Sequence, residues 1–369
     1  MSPFPSLLYS DVEDDLRASV RSLLDQHCPW ERVLARTDTS EGHDATLWRR
    51  LTDDLGLAGL AVPSRLGGAD ATWREACVVA EELGRAVAPV PFLTSAGLAT
   101  ALAYHLRVET LCAELMAGVV GAVLQPFGAP SEPVRVAVDG NRLSGRVELV
   151  AGALEADLLL VVADDAVWRI DAATVIRTEA ISLDMTRRLA DVVLDDVPGQ
   201  PLAASGGRAA LAAATDITAA LLAAEQLGIA ERCFEMTTQY VAVRRQFGRT
   251  VGSYQAVKHR LADLWTALTQ ARAVARYAAA RAATGEADLA IAAALAQSVC
   301  SDVAQLAAQE CVQLHGGIGF TWEHPAHLFL KRARADSLAL GSPTWHRRRL
   351  AALVGLEPAL PASITEENL

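Results

Sequence analysis

Apolar residues recur three and four positions apart along two long parts of the chain, which places them on one face of a helix. Near the amino terminus this stripe consists of Val12, Leu16, Val20 and Leu23. Ser10 and Glu13 stand three residues apart at its start, which is the pattern of a capping box. A further helix is predicted over 71–85, after the glycine-containing loop that follows Pro63.

Three longer helical segments are predicted in the carboxyl-terminal half. The first is rich in alanine and ends near Tyr240, and the second carries an apolar stripe over 254–268. The third spans 289–312, and its predicted apolar face consists of Leu295, Val299, Val303 and Leu306. Gly316-Gly317 is expected to end this helix, because glycine is common just after helix ends, and Pro325 is expected to precede a last helix.

Between these helical parts the pattern changes to short strands. Val134, Val136 and Val138 alternate with other residues, and Asp139-Gly140-Asn141 follows with residues that favour a tight turn. Further strands are expected over 158–162 and 189–194. This change of period predicts a small β domain between two helical domains.

The expected fold is therefore α+β and mainly helical. We predict an N-terminal helical domain over 1–118, a middle β domain over 119–200 and a C-terminal helical-bundle domain over 201–355. Residues 356–369 form a polar, proline-bearing tail that is expected to be mobile.

Composition narrows the possible partners. Hydrophobic residues make up 51% of the chain and aromatic residues only 5%, so the cores must consist mainly of alanine, leucine and valine. The net charge of −11 argues against binding to nucleic acid or to an anionic membrane. No leader with a basic start and an apolar middle opens the chain, and charges such as Glu225 interrupt the apolar runs. We expect a cytoplasmic protein with neither nucleic acid nor membrane as a partner.

The usual constellations for metal binding and nucleophilic catalysis are missing from the sequence. The six cysteines and eight histidines have no spacing typical of metal ligands, so no metal site is predicted. There is no P-loop and no GxSxG elbow. The glycines after His315 follow a predicted helix rather than a strand, so they do not form a Rossmann-type turn.

One stretch carries candidate chemistry. Arg244-Arg245-Gln246-Phe247-Gly248, with Gln255 seven residues further on, lies where one predicted helix ends and the next begins. Arginine grips phosphate in bidentate fashion, and a helix start offers free N–H groups to the same anion. The neighbouring aromatic ring suits a flat ligand. The alternative is an ordinary helical corner with a solvated arginine pair, and the stretch taken alone favours this alternative.

Several motifs, taken in chain order, resemble those of the acyl-CoA dehydrogenases, the flavoproteins that desaturate acyl-CoA thioesters. They are Leu55-Gly56-Leu57-Ala58-Gly59-Leu60-Ala61-Val62-Pro63, Leu66-Gly67-Gly68, Glu81-Glu82-Leu83-Gly84-Arg85, Thr186-Arg187-Arg188-Leu189-Ala190 before Val197-Pro198, and the stretches 244–255 and 313–320. The resemblance covers nearly the whole chain. It implies the family's fold, in which the C-terminal domain is a four-helix bundle.

The resemblance also implies that the cofactor is FAD and assigns residues to it. The positions that match FAD-holding residues are Arg244, Gln246, Phe247 and Gln255. Gln313, Gly316 and Gly317 match the segment that receives the adenine end. Arg244 matches a residue that contacts the pyrophosphate across a subunit interface. Because the family shares each FAD between two subunits, these residues can serve the flavin of a partner.

The chain departs from the family pattern around the flavin ring and at the base. The usual Trp-Ile-Thr/Ser strand is Glu148-Leu149-Val150 here, and the loop after Leu124-Gln125-Pro126 is a shortened version, Gly128-Ala129-Pro130-Ser131. Leu340 occupies the position of the usual catalytic glutamate, and a leucine cannot accept a proton.

A minority of the family carries its glutamate on the earlier helix, at a position that corresponds closely to Thr218. Asp216, two residues before it, is the first remaining candidate for a base, and Glu225, about two turns further along the helix, is a weaker one. Two residues turn a helix by about 200°, so the Asp216 side chain is expected to face away from the site. The reaction needs a carboxylate whose pKa is raised by burial in an apolar pocket. No other catalytic residue is assigned.

The segment 340–347 resembles actinobacterial members of the family that form one half of an α2β2 complex. In such pairs one subunit supplies the base and the substrate pocket, and the other completes the FAD site. The resemblance thus implies a base-lacking subunit that assembles with a second dehydrogenase subunit, or with copies of itself. It also implies an acyl-CoA substrate, with bulky thioesters such as steroid side-chain fragments included, and an electron-transfer flavoprotein as electron acceptor. The alternative is a non-catalytic scaffold or ligand-binding module on the same fold, which the retained Arg244 and Gln313 oppose.

Overall fold

The chain is arranged as helices, then strands, then helices again. A computed structural model describes residues 5–129, 134–285 and 288–356. The helices before the strands are α1 Asp11–His27, α2 Trp30–Thr37, α3 Ala45–Asp53, α4 Trp73–Ala86, α5 Thr100–His105 and α6 Glu109–Met116, with a π-helical segment, Phe92–Ala99, running into α5. Pro130 and Ser131 of the shortened loop, and the tail beyond residue 356, lie outside the described residues.

The middle part forms one mixed sheet. Its strands are β1 Gly121–Val123, β2 Val136–Asp139, β3 Arg142–Ala151, β4 Leu158–Ala163, β5 Ala166–Asp171, β6 Ile176–Ala180 and β7 Leu189–Ala203. They lie in the order β1-β4-β5-β7-β3-β2, with β6 paired to β7, and only β1 and β4 run parallel within this sheet. The predicted turn joins β2 to β3 through Gly140 and Asn141, and Gly140 takes a φ of 58° that favours glycine.

The carboxyl-terminal part is a helical bundle. Its elements are α7 Gly207–Val243, the short strands β8 Arg245–Gln246 and β9 Arg249–Thr250, α8 Gln255–Thr284, α9 Leu289–His315, α10 Ala326–Asp336 and α11 Pro343–Leu353. One helix was predicted after Pro325, and the structure has two. Leu340 (φ 53°) and Gly341 (φ 115°) take left-handed conformations that an α-helix cannot contain, so α10 and α11 are separate. The arrangement confirms the predicted mainly helical α+β fold, while the domain boundaries stay predictions.

The predicted start of α1 is present, but its buried face differs from the prediction. The Ser10 hydroxyl accepts the N–H of Glu13, and the Glu13 carboxylate accepts the N–H of Ser10. Val20 and Leu24 are buried, whereas Val12 is 71% exposed. Glu13 is buried in the first turn instead, because the guanidinium of Arg74 pairs with its carboxylate. A buried carboxylate of this kind cannot be recognised from apolar spacing.

The predicted apolar face of α9 is also wrong. Val303 is buried, but Leu295 and Val299 are half-buried and Leu306 is exposed. The buried face consists largely of small residues, namely Ala292, Ala293, Ala296, Cys300, Ala304, Ala307, Ala308 and Cys311. Small side chains let helices approach closely, so the buried face of α9 carries mainly small residues and no leucine.

Two glycines allow α4 and α7 to cross closely. A Cβ atom at Gly228 would lie 1.9 Å from the carbonyl oxygen of Glu81, and one at Gly84 would lie 2.2 Å from that of Glu225. The contact is reciprocal, because each glycine meets the backbone three residues before the other. The two helices therefore touch through their main chains.

The two longest apolar helical stretches are used in this core. α7 and the stretch 289–320 are long and apolar enough to cross a bilayer. However, the most apolar 18 residues of α7 are 61% buried inside the fold, and those of 289–320 are 56% buried. Burial of this kind is found in the core helices of globular proteins, so apolar length alone does not indicate a membrane span here.

Candidate functional site

The residues assigned to FAD lie in two segments that meet at one end of the bundle. The rings of Tyr240 in α7 and His315 in α9 stack with their centroids 4.5 Å apart. Tyr240 precedes Arg244 by about one helical turn, and His315 directly precedes Gly316. The stacking therefore brings 244–255 and 313–317 together, although about sixty residues separate them in the chain.

A two-residue hairpin presents the first of these segments. Arg245 pairs with Thr250 and Gln246 with Arg249, and the turn is made by Phe247 (φ 50°) and Gly248 (φ 78°). Tight hairpin turns favour such left-handed residues, but phenylalanine adopts this conformation only at a cost in free energy. The Phe247 ring is nevertheless 93% exposed. The hairpin thus projects an aromatic ring away from the core of its own chain.

The assigned residues share an outward orientation. All seven are exposed, namely Arg244, Gln246, Phe247, Gln255, Gln313, Gly316 and Gly317. Gln255 is the first residue of α8, and no side chain caps the free N–H groups of that helix start. A Cβ at either of the two glycines would meet open space. A cation, free helix-end donors and bare glycine backbone fit the phosphates and adenine of FAD approaching from outside the chain. We call these seven residues the dinucleotide clamp.

A cavity of about 450 Å³ lies near the opposite end of α7. It is partly open to solvent and is lined by residues of α7, of α11 and of the loop after β1, which contributes Gln125 and Pro126. Leu340 and Asp216, the two positions that the sequence connected with the catalytic base, both line it. We call this space the first cavity.

Leu340 is fixed in the wall of the first cavity by main-chain hydrogen bonds. The N–H of Leu340 donates to the carbonyl of Phe127 at 2.7 Å, and the N–H of Phe127 donates to the carbonyl of Leu149 at 3.0 Å. These bonds connect the three segments that depart from the family pattern. Val150 is buried in the sheet, and Leu149 (φ 56°) is left-handed like Leu340. Leu340 is itself buried and offers no proton acceptor at this point.

Asp216 does not face away from the first cavity, which contradicts the expectation from helical geometry. The α7 residues that line the cavity follow the three-and-four spacing of one helix face, which includes Thr215, Asp216 and Ala219 but not Thr218. The Asp216 carboxylate pairs with Nη2 of Arg349 at 2.7 Å. Burial raises the pKa of Asp216, and the charge of Arg349 opposes this rise. The Thr218 hydroxyl instead donates to the Ala214 carbonyl of its own helix.

A buried cluster of charges, which the sequence did not predict, joins the sheet to the bundle. Arg332 lies 2.5 Å from Asp184 and 2.6 Å from Glu225, measured between nitrogen and oxygen atoms. Arg187 lies 2.6 Å from Glu225 and 2.6 Å from Asp336. We call these five residues the charge junction. In the sequence, the junction was indicated by one charged residue, Glu225, within an apolar helical run.

The junction holds three carboxylates and two guanidiniums, so one negative charge is unmatched. Burial, together with the charge of Glu225, raises the pKa of Asp336 to about 8. Burial alone would raise the pKa of Glu225 as well, but Arg187 and Arg332 lower it below its usual value. The excess proton therefore resides on Asp336 at neutral pH.

The dinucleotide clamp and the first cavity are far apart. Asp216 and Arg244 are 28 residues apart on or next to α7, which corresponds to about 42 Å along the helix axis. This distance is longer than an extended FAD molecule. One FAD therefore cannot reach both places on a single chain.

The prediction that the chain has no metal site can be compared only with the residues that the structure describes. Within 5–129, 134–285 and 288–356, no group of three or more His, Cys, Asp or Glu side chains is arranged to hold a metal ion. The six cysteines are buried and free.

Sequence and structure comparisons identify the family. The description "Acyl-CoA dehydrogenase, N-terminal domain" matches residues 10–108, and "Acyl-CoA dehydrogenase, C-terminal domain" matches 205–355. The chain is 35% identical over 348 residues to acyl-CoA dehydrogenase IpdE2 of Mycolicibacterium smegmatis, covering 94% of this chain and 99% of that protein. It is also 35% identical over 350 residues to acyl-CoA dehydrogenase FadE34 of Mycobacterium tuberculosis, covering 88% of this chain but 47% of FadE34.

A solved structure agrees with these matches. The fold superposes on a chain of the ChsE4-ChsE5 complex from Mycobacterium tuberculosis with a TM-score of 0.86 and 27% identity, covering 96% of this chain and 100% of that one. The predicted resemblance to actinobacterial members is confirmed by these relatives. The chain therefore belongs to the acyl-CoA dehydrogenase family of oxidoreductases.

Proposed function

We propose that this chain is the base-lacking subunit of an FAD-dependent acyl-CoA dehydrogenase and that its dinucleotide clamp serves the flavin of a second dehydrogenase subunit. The observation that carries the proposal is the separation of the clamp from the first cavity by about 42 Å. An outward-facing clamp is useful only to a site completed by another subunit. Leu340 has a hydrocarbon side chain at the position of the usual base. A partner subunit must therefore supply the carboxylate that removes the proton.

Two comparisons support a heteromer. FadE34 matches this chain over only 47% of its own length, which leaves room for a second unit of similar size in the same polypeptide. The ChsE4-ChsE5 structure is a complex of two different proteins. By analogy, this chain pairs with a second acyl-CoA dehydrogenase, most simply as an α2β2 heterotetramer in the cytoplasm.

The reaction is the α,β-desaturation of an acyl-CoA thioester, with electrons passing on to an electron-transfer flavoprotein. FAD, when bound, supplies the hydride acceptor for this reaction. In this chain, Arg244 would donate hydrogen bonds to the pyrophosphate of a bound FAD, and the free N–H groups at the start of α8 would attract the same negative charge. Gly316 and Gly317 let the main chain approach the adenine end closely. The α-proton is removed by the partner, because Leu340 cannot accept it.

Co-expression with a second acyl-CoA dehydrogenase subunit that carries the catalytic glutamate tests the proposal. The FAD content and the turnover of acyl-CoA are measured for this chain alone, for the partner alone and for the co-purified pair. We expect stoichiometric FAD and turnover in the pair only. Tight FAD binding with turnover by this chain alone would overturn the proposal. A stable pair without flavin would instead support the non-catalytic scaffold.

A further inference from the structure

Two cysteines meet between α7 and α9. Cys233 of α7 and Cys311 of α9 are both 0% exposed, and their thiols are in hydrogen-bonding contact. Ala307 and Ala308, one turn before Cys311, are also 0% exposed, so small side chains let the helices approach closely at this level. A disulfide requires Cα atoms within about 7 Å of each other, and a close helix seam provides this spacing. The two free thiols are therefore placed for a cross-link.

The two thiols differ in how readily they lose a proton. A hydrogen bond from the Cys233 thiol lowers the pKa of Cys311, burial opposes this, and the imidazole of His315 lowers the pKa further. Burial raises the pKa of Cys233, and the hydrogen bond to Cys311 raises it as well. Cys311 is thus the thiolate of the pair and Cys233 the thiol. The thiolate is the form of cysteine that reacts as a nucleophile.

The imidazole of His315 is fixed beside the Cys311 sulfur. Its Nδ1 lies 3.7 Å from this sulfur and donates to the Cys311 carbonyl at 2.6 Å. The ring centroid lies 4.5 Å from that of Tyr240 and 4.2 Å from that of His324. His315 is also the last residue of α9, so the thiol pair lies about one turn from a helix end. Helix ends open more readily than helix centres, which gives a small oxidant access to the pair.

The other four cysteines have a different environment. Burial raises the pKa of each of them, namely Cys28, Cys77, Cys112 and Cys300. Cys300, also in α9, donates its thiol hydrogen to the Ala271 carbonyl at 3.5 Å. A buried neutral thiol is a poor nucleophile, so these four cysteines are expected to resist a small oxidant.

We propose that Cys233 and Cys311 are a peroxide-sensitive thiol pair, and that their disulfide ties α7 to α9 next to the dinucleotide clamp. The Cys311 thiolate first attacks an oxygen of hydrogen peroxide. The S–O bond forms, the O–O bond breaks, and the departing hydroxide takes up the proton that Cys311 had released. The Cys233 sulfur then attacks the sulfenic acid on Cys311. The S–S bond forms, the S–O bond breaks, and the departing hydroxide takes the Cys233 proton.

In this reaction the two sulfur atoms are oxidised and one peroxide is reduced to two water molecules. The disulfide closes a loop of about eighty residues, and such a cross-link stabilises a fold chiefly by restricting the unfolded chain. The site needs only residues of α7 and α9. It is therefore independent of the flavin that the dinucleotide clamp is proposed to serve.

Titration of the purified full chain with hydrogen peroxide tests the proposal. After oxidation the chain is denatured, its free thiols are counted, and the peptides from a non-reducing digest are identified by mass. We expect two of the six thiols to disappear and a linked peptide pair that contains Cys233 and Cys311. The urea midpoint of unfolding should rise on oxidation, and dithiothreitol should reverse both changes.

Single variants separate the two roles. Cys233→Ala leaves Cys311 without a second thiol, so its sulfenic acid should persist and be trapped by dimedone. Cys311→Ala should prevent both the trapping and the cross-link. Cys300→Ser, which changes another buried cysteine of α9, is the matched control and should still form the cross-link. If an alanine variant does not fold, the linked peptides of the wild type decide the question.

Retention of all six thiols overturns the proposal, and so does a loss spread over the other four cysteines. A Cys233–Cys311 cross-link that leaves the urea midpoint unchanged would show that the disulfide does not tie the two helices together. Because no step of the measurement uses FAD or a partner subunit, its outcome is separate from that of the proposed function.

Discussion

Arg187 donates a hydrogen bond to the carboxylate of Asp336 at 2.6 Å, although 149 residues separate them in the chain. Arg187 lies just before β7, and Asp336 is the last residue of α10. Arg332, also in α10, reaches back to Asp184 in the segment before β7. These buried ion pairs thus hold the sheet in its orientation on the bundle. Because the charges of the carboxylates depend on pH, the stability of the fold depends on pH as well.

Asp336→Asn should reduce the pH dependence of stability between about pH 4 and 8. Asp336 has an ordinary pKa of 3.8 and a folded-state pKa of about 8. Such a group stabilises the fold fully below its unfolded pKa, and this contribution is lost as the pH rises through the folded pKa. Wild-type protein should therefore lose stability across this window, and the variant should lose less. Urea unfolding over this range measures the difference, and equal pH slopes would contradict the assignment.

Arg332→Met should destabilise the fold by about 3–5 kcal/mol, because it leaves buried carboxylates without their partner. The matched control is Arg347→Met, whose ion pair with Asp302 lies on the surface and contributes at most about 1 kcal/mol. Chemical denaturation gives both values. If the two variants lose a similar free energy of unfolding, the charge junction contributes no more to stability than a surface ion pair does.

Gly228→Ala should cost about 1–3 kcal/mol or more, because the new Cβ would lie 1.9 Å from the Glu81 carbonyl oxygen and α4 and α7 would have to separate. Gly128→Ala meets open space and should change stability by no more than about 0.5 kcal/mol. Thermal unfolding of the two variants checks the close helix crossing. If Gly228→Ala leaves the melting temperature unchanged, the close crossing of α4 and α7 is ruled out.

Arg244→Ala should weaken FAD binding by the co-expressed pair while leaving the melting temperature of this chain alone unchanged. A hydrogen bond to a charged group contributes about 1.5–3 kcal/mol, which corresponds to about a tenfold to hundredfold loss of affinity. Arg245→Ala, one residue further on and also exposed, is the control and should retain FAD. If both variants lose flavin equally, the pyrophosphate role assigned to Arg244 is wrong.

Local patterns predicted those features that depend on neighbours in the chain. The capping box at Ser10 and the tight turn at Gly140 were both recognisable, because each requires particular residue types at fixed short spacings. The end of α9 at Gly316 followed for the same reason. The family motifs assigned residues to the clamp from their order in the chain, and these assignments stay predictions.

The apolar pattern failed where packing or charge pairing overrode it. In α9 the small residues around Ala296 are buried and Leu306 is exposed, because the closeness of the neighbouring helices selects for size as well as for polarity. Asp216 was expected to face away because Thr218 was taken to face the site, but the cavity lies on the face of α7 that carries Asp216 and not Thr218. Helical periodicity specifies an angle and contains no information about the shape of the space opposite.

The sequence by itself thus determined the family, the order of helices and strands, and the absence of a proton acceptor at Leu340. Tertiary structure decided the rest: that Arg187 and Arg332 share buried carboxylates, that Asp216 is neutralised by Arg349, and that the clamp and the first cavity lie at opposite ends of α7. The physical reason is distance. Pairing and burial join residues that are remote in the chain, and a single sequence specifies the chemistry of each residue but not which of them meet.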